Sequence, residues 1–271
     1  MSTTLPAQRI QRLSVIIPVL GPTPWDQVPE RGLAERAVTS VLSQSDPVGT
    51  EVVLVVEASA GDSLREAFRD ELTQTGTRLE LITPTPDGPS GDRARLWNIG
   101  AARSRGSFLA FLDPRDQWKP NRLTLLEPWL KKHDLLTNSR TAPHATSDWV
   151  RAFLAENWAI PSSLVVRRSL FEAVGGFPEG YTGLPLPRRL PGEVEYEFLL
   201  RALTVLLKSD HRDRFEVMTE ETVALGERPA GFPAPIESKI SRLREAVTLL
   251  SVTPKLPPRY WSAVVKKVFR R

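Results

Sequence analysis

Asp113 and Asp116, two carboxylates three residues apart, close a short apolar run in the stretch GSFLAFLDPRDQWKP, residues 106–120. An apolar run over 108–112, bounded by Gly106 and by a charged turn containing Pro114, has the pattern of a buried strand. Side chains released at the C-terminal end of such a strand stand where open α/β sheets bind ligands. Carboxylates there can hold a divalent cation through hard oxygen ligands, and the cation can in turn hold a diphosphate. Asp and Pro are also ordinary turn formers that stop a strand. The residues alone leave both readings open. Glu57 is released in the same manner after a second apolar run, VVLVV at 52–56.

The elements that must carry these acids can be read along the chain. LSVIIPV (13–19) is almost wholly apolar, the pattern of a central parallel strand. GLAERAVTSVLSQS (32–45) places Leu33, Ala37, Val41 and Leu42 on one face of an amphipathic helix. Residues 62–75 read as a helix, 79–82 as a third strand, and 83–92 as a Pro-Gly loop. RARLWNIGAARS (93–104) reads as a helix capped by Asp92. Strand and helix thus alternate over the first 120 residues, which predicts an α/β fold with a mostly parallel, doubly wound sheet and right-handed crossovers. After the first strand the chain reads PVLGPTPW, without a glycine-rich dinucleotide fingerprint, which disfavours a nicotinamide enzyme.

The second half is less regular. PNRLTLLEPWLKK reads as a helix with Pro120 in its first turn. Residues 138–149 are polar and read as loop, and 164–166 as a short strand. The helix that follows is ended by Gly175 and Gly176. A Pro-rich loop carries Arg188 and Arg189, and EVEYEFLLRALTVLL is strongly helical. One domain is expected over 1–235, followed by a basic amphipathic helical tail over 236–271. Trp261, Val264, Val265, Val268 and Phe269 lie at mostly helical spacing among Lys266, Lys267, Arg270 and Arg271. Such a helix suits either an anionic membrane surface or docking on the protein with its basic face solvated.

Bulk properties narrow the field. The chain has 271 residues, 41% hydrophobic and 25% charged, which fits a core-forming protein. No apolar run approaches the roughly eighteen residues of a spanning helix, and the N-terminal residues lack the pattern of a signal peptide. The absence of cysteine excludes disulfides and thiolate metal sites and suits a cytoplasmic location. His133, His144 and His211 lie at unrelated spacings, which disfavours zinc. The net charge of +4 and pI near 9.6 allow nucleic acid, anionic lipid or a phosphorylated substrate as partner. With no helix-turn-helix, RNA-binding aromatic motif or basic heptads, nucleic acid is not expected.

Four segments, in order, resemble a family-2 nucleotide-sugar glycosyltransferase of the GT-A fold. SVIIPV (14–19) is similar to that family's first strand motif. EVVLVVEASAGDS (51–63) stands where the family shows a strand followed by Asp-Asp-Gly-Ser. RLWNIGAARSRGSFLAFLDPRDQW (95–118) resembles its Asn-x-Gly helix, Gly-led strand and Asp-rich turn. SSLVVRRSLFEAVGGFPEG and VEYEFLLR resemble its Gly-Gly-Phe-x-Glu segment and acid-containing helix start. The resemblance covers about residues 13–201.

It implies an inverting transfer of sugar from a nucleotide-diphosphate donor, UDP-type favoured, to an acceptor hydroxyl on a glycan, lipid-linked sugar or protein. Glu195 falls on the base position, a Glu for the usual Asp. A hydroxyl needs such a base to attack at neutral pH. Donor contacts are implied at Pro18, Val19, Glu57, Arg93, Asp113 and Arg115, and Asp113 and Asp116 are the implied ligands of a Mn or Mg ion. The cation would stabilise the charge of the leaving diphosphate. The chain departs from the family at Glu57-Ala58, where two Asp are usual, at Arg115 in the centre of the acidic turn, and at Trp97, where Arg often precedes Asn98. An arginine can offer a fixed positive fork to a diphosphate. The departures also suit a second class, a non-catalytic GT-A module that binds nucleotide or sugar or scaffolds a partner. A nucleotidyltransferase would want a basic residue in PVLGPTPW, and none is there.

Overall fold

Strands covered on both faces read as near-continuous apolar runs, and three such runs lie side by side in the sheet. In a computed structural model of the chain, β1 (Leu13–Val19), β2 (Thr50–Val56), β3 (Arg78–Ile82) and β4 (Phe108–Phe111) run parallel in the order β3-β2-β1-β4. The structure describes residues 13–20, 30–45, 49–57, 61–68, 78–85, 92–138, 159–179 and 193–226, with Pro258 and Trp261. Helices α1 (Glu30–Leu42), α2 (Gly61–Ala67) and α3 (Arg93–Arg103) lie between consecutive strands in the chain. Every residue of β1, β2 and β4 is buried.

Beyond β4 the sheet changes direction. β7 (Val165–Arg167) pairs antiparallel with β4 and with β6 (Leu135–Asn138), and β6 pairs parallel with β8 (Phe215–Met218). The full order is β3-β2-β1-β4-β7-β6-β8. A separate antiparallel ribbon joins β5 (Gln117–Trp118) to β9 (Val223–Ala224). Helices α4 (Arg122–Leu130), α5 (Arg168–Val174) and α6 (Glu193–Lys208) complete the described elements. The sheet is mostly parallel, as its first half predicts, while β6, β8 and the ribbon go beyond the sequence reading.

The two-residue period of the strands divides the core. Ile16, Val53, Val55, Leu109 and Phe111 meet Trp97 of α3, Phe171 of α5 and Phe198 of α6 on one face. Val15, Ile17, Val52, Leu54 and Ala110 meet Ala37 and Val41 of α1 and Leu123 and Leu126 of α4 on the other. On the first face α3 comes close to the sheet. A Cβ on Gly100 would lie 2.4 Å from Ile16 Cγ2, so the glycine of the Asn-x-Gly helix is required by helix-to-strand contact. Gly175 ends α5 in the left-handed region, at φ 84°.

At the N-terminal edge of the sheet the buried Glu51 accepts hydrogen bonds from the Ser14 hydroxyl at 2.6 Å and from the amides of Arg105 and Gly106. One carboxylate therefore ties β2 to β1 and to the chain entering β4. Among the described residues no helix is long and apolar enough to cross a membrane. The helix expected over 62–75 is described as far as Ala67. Ala58, Trp158, Arg188, Arg189, most of the loop over 138–149 and all of the tail over 236–271 except Pro258 and Trp261 lie outside the described residues.

Candidate functional site

The Leu112 amide bonds to the Ile16 carbonyl at 3.1 Å, which extends the β1–β4 ladder by one residue and releases Asp113 at the C-terminal edge. The turn that follows is held by its own polar groups. The Arg115 amide donates to Asp113 Oδ1 and the Asp116 amide to the Asp113 carbonyl, at 3.0 and 2.9 Å. Ser162, in the 3-10 turn Pro161–Ser163 before β7, accepts from the Asp113 amide at 3.0 Å and donates to Asp116 Oδ2. Asp116 Oδ1 takes the Gly226 amide at 3.0 Å. That last approach requires glycine, because a Cβ on Gly226 would lie 2.0 Å from the Arg115 carbonyl oxygen.

Two further elements converge on Asp113. Asp92 caps α3, its side chain accepting from the Arg95 amide, and thereby sets Arg93 at the first helical position. Arg93 Nη1 lies 2.6 Å from Asp113 Oδ2 and 3.8 Å from Glu195 Oε1. Its guanidinium lies over the Trp97 ring, one turn further on, at 5.5 Å. Burial works to lower the Arg93 pKa, but attraction to Asp113, Glu195 and Asp116 outweighs it and holds the group above its ordinary value. Glu195 lies in the first turn of α6, where the helix dipole favours an acid, and is 3% exposed. It is a buried acid facing a cation, not a solvated one. Glu197, also buried, pairs one turn along with Arg201.

The other sequence-derived positions fall as follows. Pro18 and Val19 are buried in β1, and the Val19 carbonyl accepts the Glu57 amide at 3.0 Å. Glu57, half-buried, stands at the same edge as Asp113 with β1 between them. Arg115 Nη1 is 3.9 Å from Asp113 Oδ1. Arg95 turns away, to the Thr85 carbonyl. Trp97 and Trp118 are both buried. Ser162, Gly226 and the fully buried Arg122 went unread in the sequence, since a serine, a glycine and a helical arginine carry no spacing signal.

The fit of this turn to a divalent cation is poor. Both oxygens of Asp116 and both oxygens of Asp113 accept from protein donors, with Arg93 and the Arg115 amide on Asp113. The described residues contain no group of three or more His, Cys, Asp and Glu side chains able to hold a metal ion.

A parallel half-sheet extended by β7 and β6, with acids gathered at its C-terminal edge, is the fold of GT-A-type glycosyltransferases. No family model matches the chain. Over 147 residues it is 32% identical to the O-antigen biosynthesis protein RfbC of Myxococcus xanthus, covering 49% of this chain and 11% of RfbC. It is 27% identical over 160 residues to the uncharacterized glycosyltransferase alr2836 of a Nostoc species, covering 51% of this chain and 48% of that protein. The matched part thus spans about a ninth of the first relative and half of the second. Among solved structures, S. aureus TarS in complex with UDP-GlcNAc superposes with a TM-score of 0.61 at 16% identity, over 95% of this chain and 71% of TarS. The mannosyltransferase PcManGT of Pyrobaculum calidifontis, in complex with GDP-Man and Mn2+, gives 0.62 at 18% identity, over 95% of this chain and 69% of that one.

Proposed function

We propose that the chain transfers a sugar from a nucleotide-diphosphate donor to an acceptor hydroxyl, with inversion at the anomeric carbon. The observation that carries this reading is the buried carboxylate of Glu195 opposite Asp113 and Arg93 at the sheet edge that binds ligands. The names of the relatives and the UDP- and GDP-sugar complexes of the structural neighbours support the donor class. In the reaction the acceptor oxygen forms a bond to the anomeric carbon and its proton passes to Glu195. The bond from that carbon to the diphosphate breaks, and the nucleoside diphosphate leaves with the electron pair. Arg93 and Arg115 supply positive charge beside it. A Mn or Mg ion on Asp113 and Asp116, the sequence expectation, is the part that the donor set supports least, and no step is assigned to it. UDP is the favoured nucleotide and GDP the alternative.

Calorimetric titration with UDP and GDP tests the donor, and release of the nucleotide from UDP- and GDP-sugars in the presence of candidate acceptors tests transfer. A saturable site for one nucleotide supports the reading. No binding of either, in any buffer, removes it. The second reading, a GT-A-fold module without transfer activity, is favoured by the ion pair that places Arg93 against both acids. Nucleotide binding without turnover would select it. Peripheral membrane contact is proposed for the tail, where Trp261 is 44% exposed, and cosedimentation with anionic vesicles tests it.

A further inference from the structure

We propose that the Arg93 guanidinium stands in place of a divalent cation between Asp113 and Glu195, and that a nucleoside diphosphate is held here without metal. Only the identity of the ligand rests on the functional reading above. A hard cation needs about six or more oxygens at bond lengths of about 2.0 to 2.6 Å. In this turn the Asp113 oxygens already accept from Arg93 at 2.6 Å and the Arg115 amide at 3.0 Å, and the Asp116 oxygens from Ser162 and Gly226. A metal on Asp113 would have to share that carboxylate with the buried Arg93 cation, which repels it.

That cation is fixed by packing. Arg93 opens α3, and α3 is seated by the Gly100 contact with Ile16, by the Asp92 cap and by Trp97, which lies under the guanidinium. One nitrogen, Nη1, reaches both carboxylates. A guanidinium carries five N–H donors in a rigid fork. Nη1 lies in ion-pair range of both acids, and the other N–H donors of a guanidinium fork suit the oxygens of a diphosphate. Arg115, 3.9 Å from Asp113, adds a second positive group at the rim.

Two measurements test the assignment. In the absence of nucleotide, Mn2+ is titrated into the wild-type chain and into Arg93→Gln, and free Mn2+ is followed by its electron paramagnetic resonance signal. The wild type is expected to leave the signal undiminished at equimolar, submillimolar concentrations, and R93Q to bind at least about tenfold more tightly, a change of about 1.4 kcal/mol. UDP and GDP are then titrated into the wild type in EDTA and in Mn2+, with affinities expected to agree within about threefold. Should R93Q fail to fold by circular dichroism, Arg93→Lys serves. It keeps the charge but not the fork, so it should still exclude Mn2+ while losing about tenfold in nucleotide affinity. One tightly bound Mn2+ per wild-type chain, or nucleotide binding that requires Mn2+, overturns the assignment. If neither nucleotide binds in any buffer while the Mn2+ contrast holds, the donor reading fails and the place of Arg93 stands.

Discussion

Asn98 and Phe177 exchange two hydrogen bonds across 79 residues of chain: the Phe177 amide donates to Asn98 Oδ1 and Asn98 Nδ2 donates to the Phe177 carbonyl, each at 2.9 Å. The side-chain amide acts as a strand partner would, and it hangs Phe177 among Trp97, Phe111, Phe171 and Phe198 with ring centroids 4.7 to 5.7 Å apart. Asn98→Ala leaves both backbone groups without that partner and is expected to cost about 2 to 3 kcal/mol. Asn98→Asp retains the acceptor but sets a carboxylate against the Phe177 carbonyl, and should be no more stable than the alanine variant. Urea unfolding measures both.

Two glycines should respond in opposite directions. Gly100→Ala drives a methyl to within 2.4 Å of Ile16 Cγ2 and is expected to destabilise by about 1 to 3 kcal/mol. Gly32 lies in the first turn of α1, and among the described residues a new Cβ would meet only the end of the Arg36 side chain, at 3.9 Å. Gly32→Ala should stabilise by about 0.5 to 1 kcal/mol. Thermal unfolding of the pair tests whether α3, and not α1, is the helix seated tightly on the sheet.

Arg122 is fully buried, its guanidinium over Trp118 and its donors on Thr222, Asn138 and the Ser163 carbonyl. Burial lowers its pKa to about 9, well below its ordinary value in the unfolded chain. Between those values the unfolded chain binds more protons than the folded one, so this group makes stability rise with pH. The penalty of the buried charge is present in full at neutral pH and is relieved as pH climbs past about 9. The stability difference between the wild type and Arg122→Met should therefore be flat from pH 6 to 8. Above about pH 9 it should turn in favour of the wild type, approaching about 1.4 kcal/mol per pH unit. A flat difference up to pH 10.5 would count against the lowered value.

Glu195→Gln removes the proposed proton acceptor without changing its volume, and transfer should fall by about 10² to 10⁴-fold. Nucleotide affinity should hold or increase, since Arg93 loses one competing carboxylate. An activity within about threefold of wild type would move the base elsewhere. Gly226→Ala acts differently. It pushes the chain after β9 off the Arg115 carbonyl and takes the Gly226 amide from Asp116, so nucleotide affinity and stability should fall together.

What the sequence disclosed follows from how each feature is encoded. β1, β2 and β4 were legible because strands buried on both faces are built from near-continuous apolar runs, VIIPV, VVLVV and FLAF here. LLTN of β6 is buried throughout but half polar, FEVM of β8 is buried only at its ends, and the reversal of β7 is set by its connection, not its composition. Asp113 was legible as an acid at a strand end, whereas Glu195 stood out only through the family resemblance, since an acid in the first turn of a helix is ordinarily solvated. The Arg93 contact with both depends on where α3 is seated, which the first residue of a helix does not reveal. Ser162 and Gly226 matter for one hydroxyl and one missing methyl, and such features acquire meaning only from their neighbours.

Glu51, gathering Ser14, Arg105 and Gly106 at the rim of the sheet remote from Asp113, separates two burdens that many folds load onto the same residues. Alignment of the central strands is secured at one rim, and the proposed ligand site lies at the other. Drift at Glu57, Arg115 or Glu195 can therefore exchange one donor or acceptor for another while the strands stay in step, which leaves this scaffold free to diversify in chemistry.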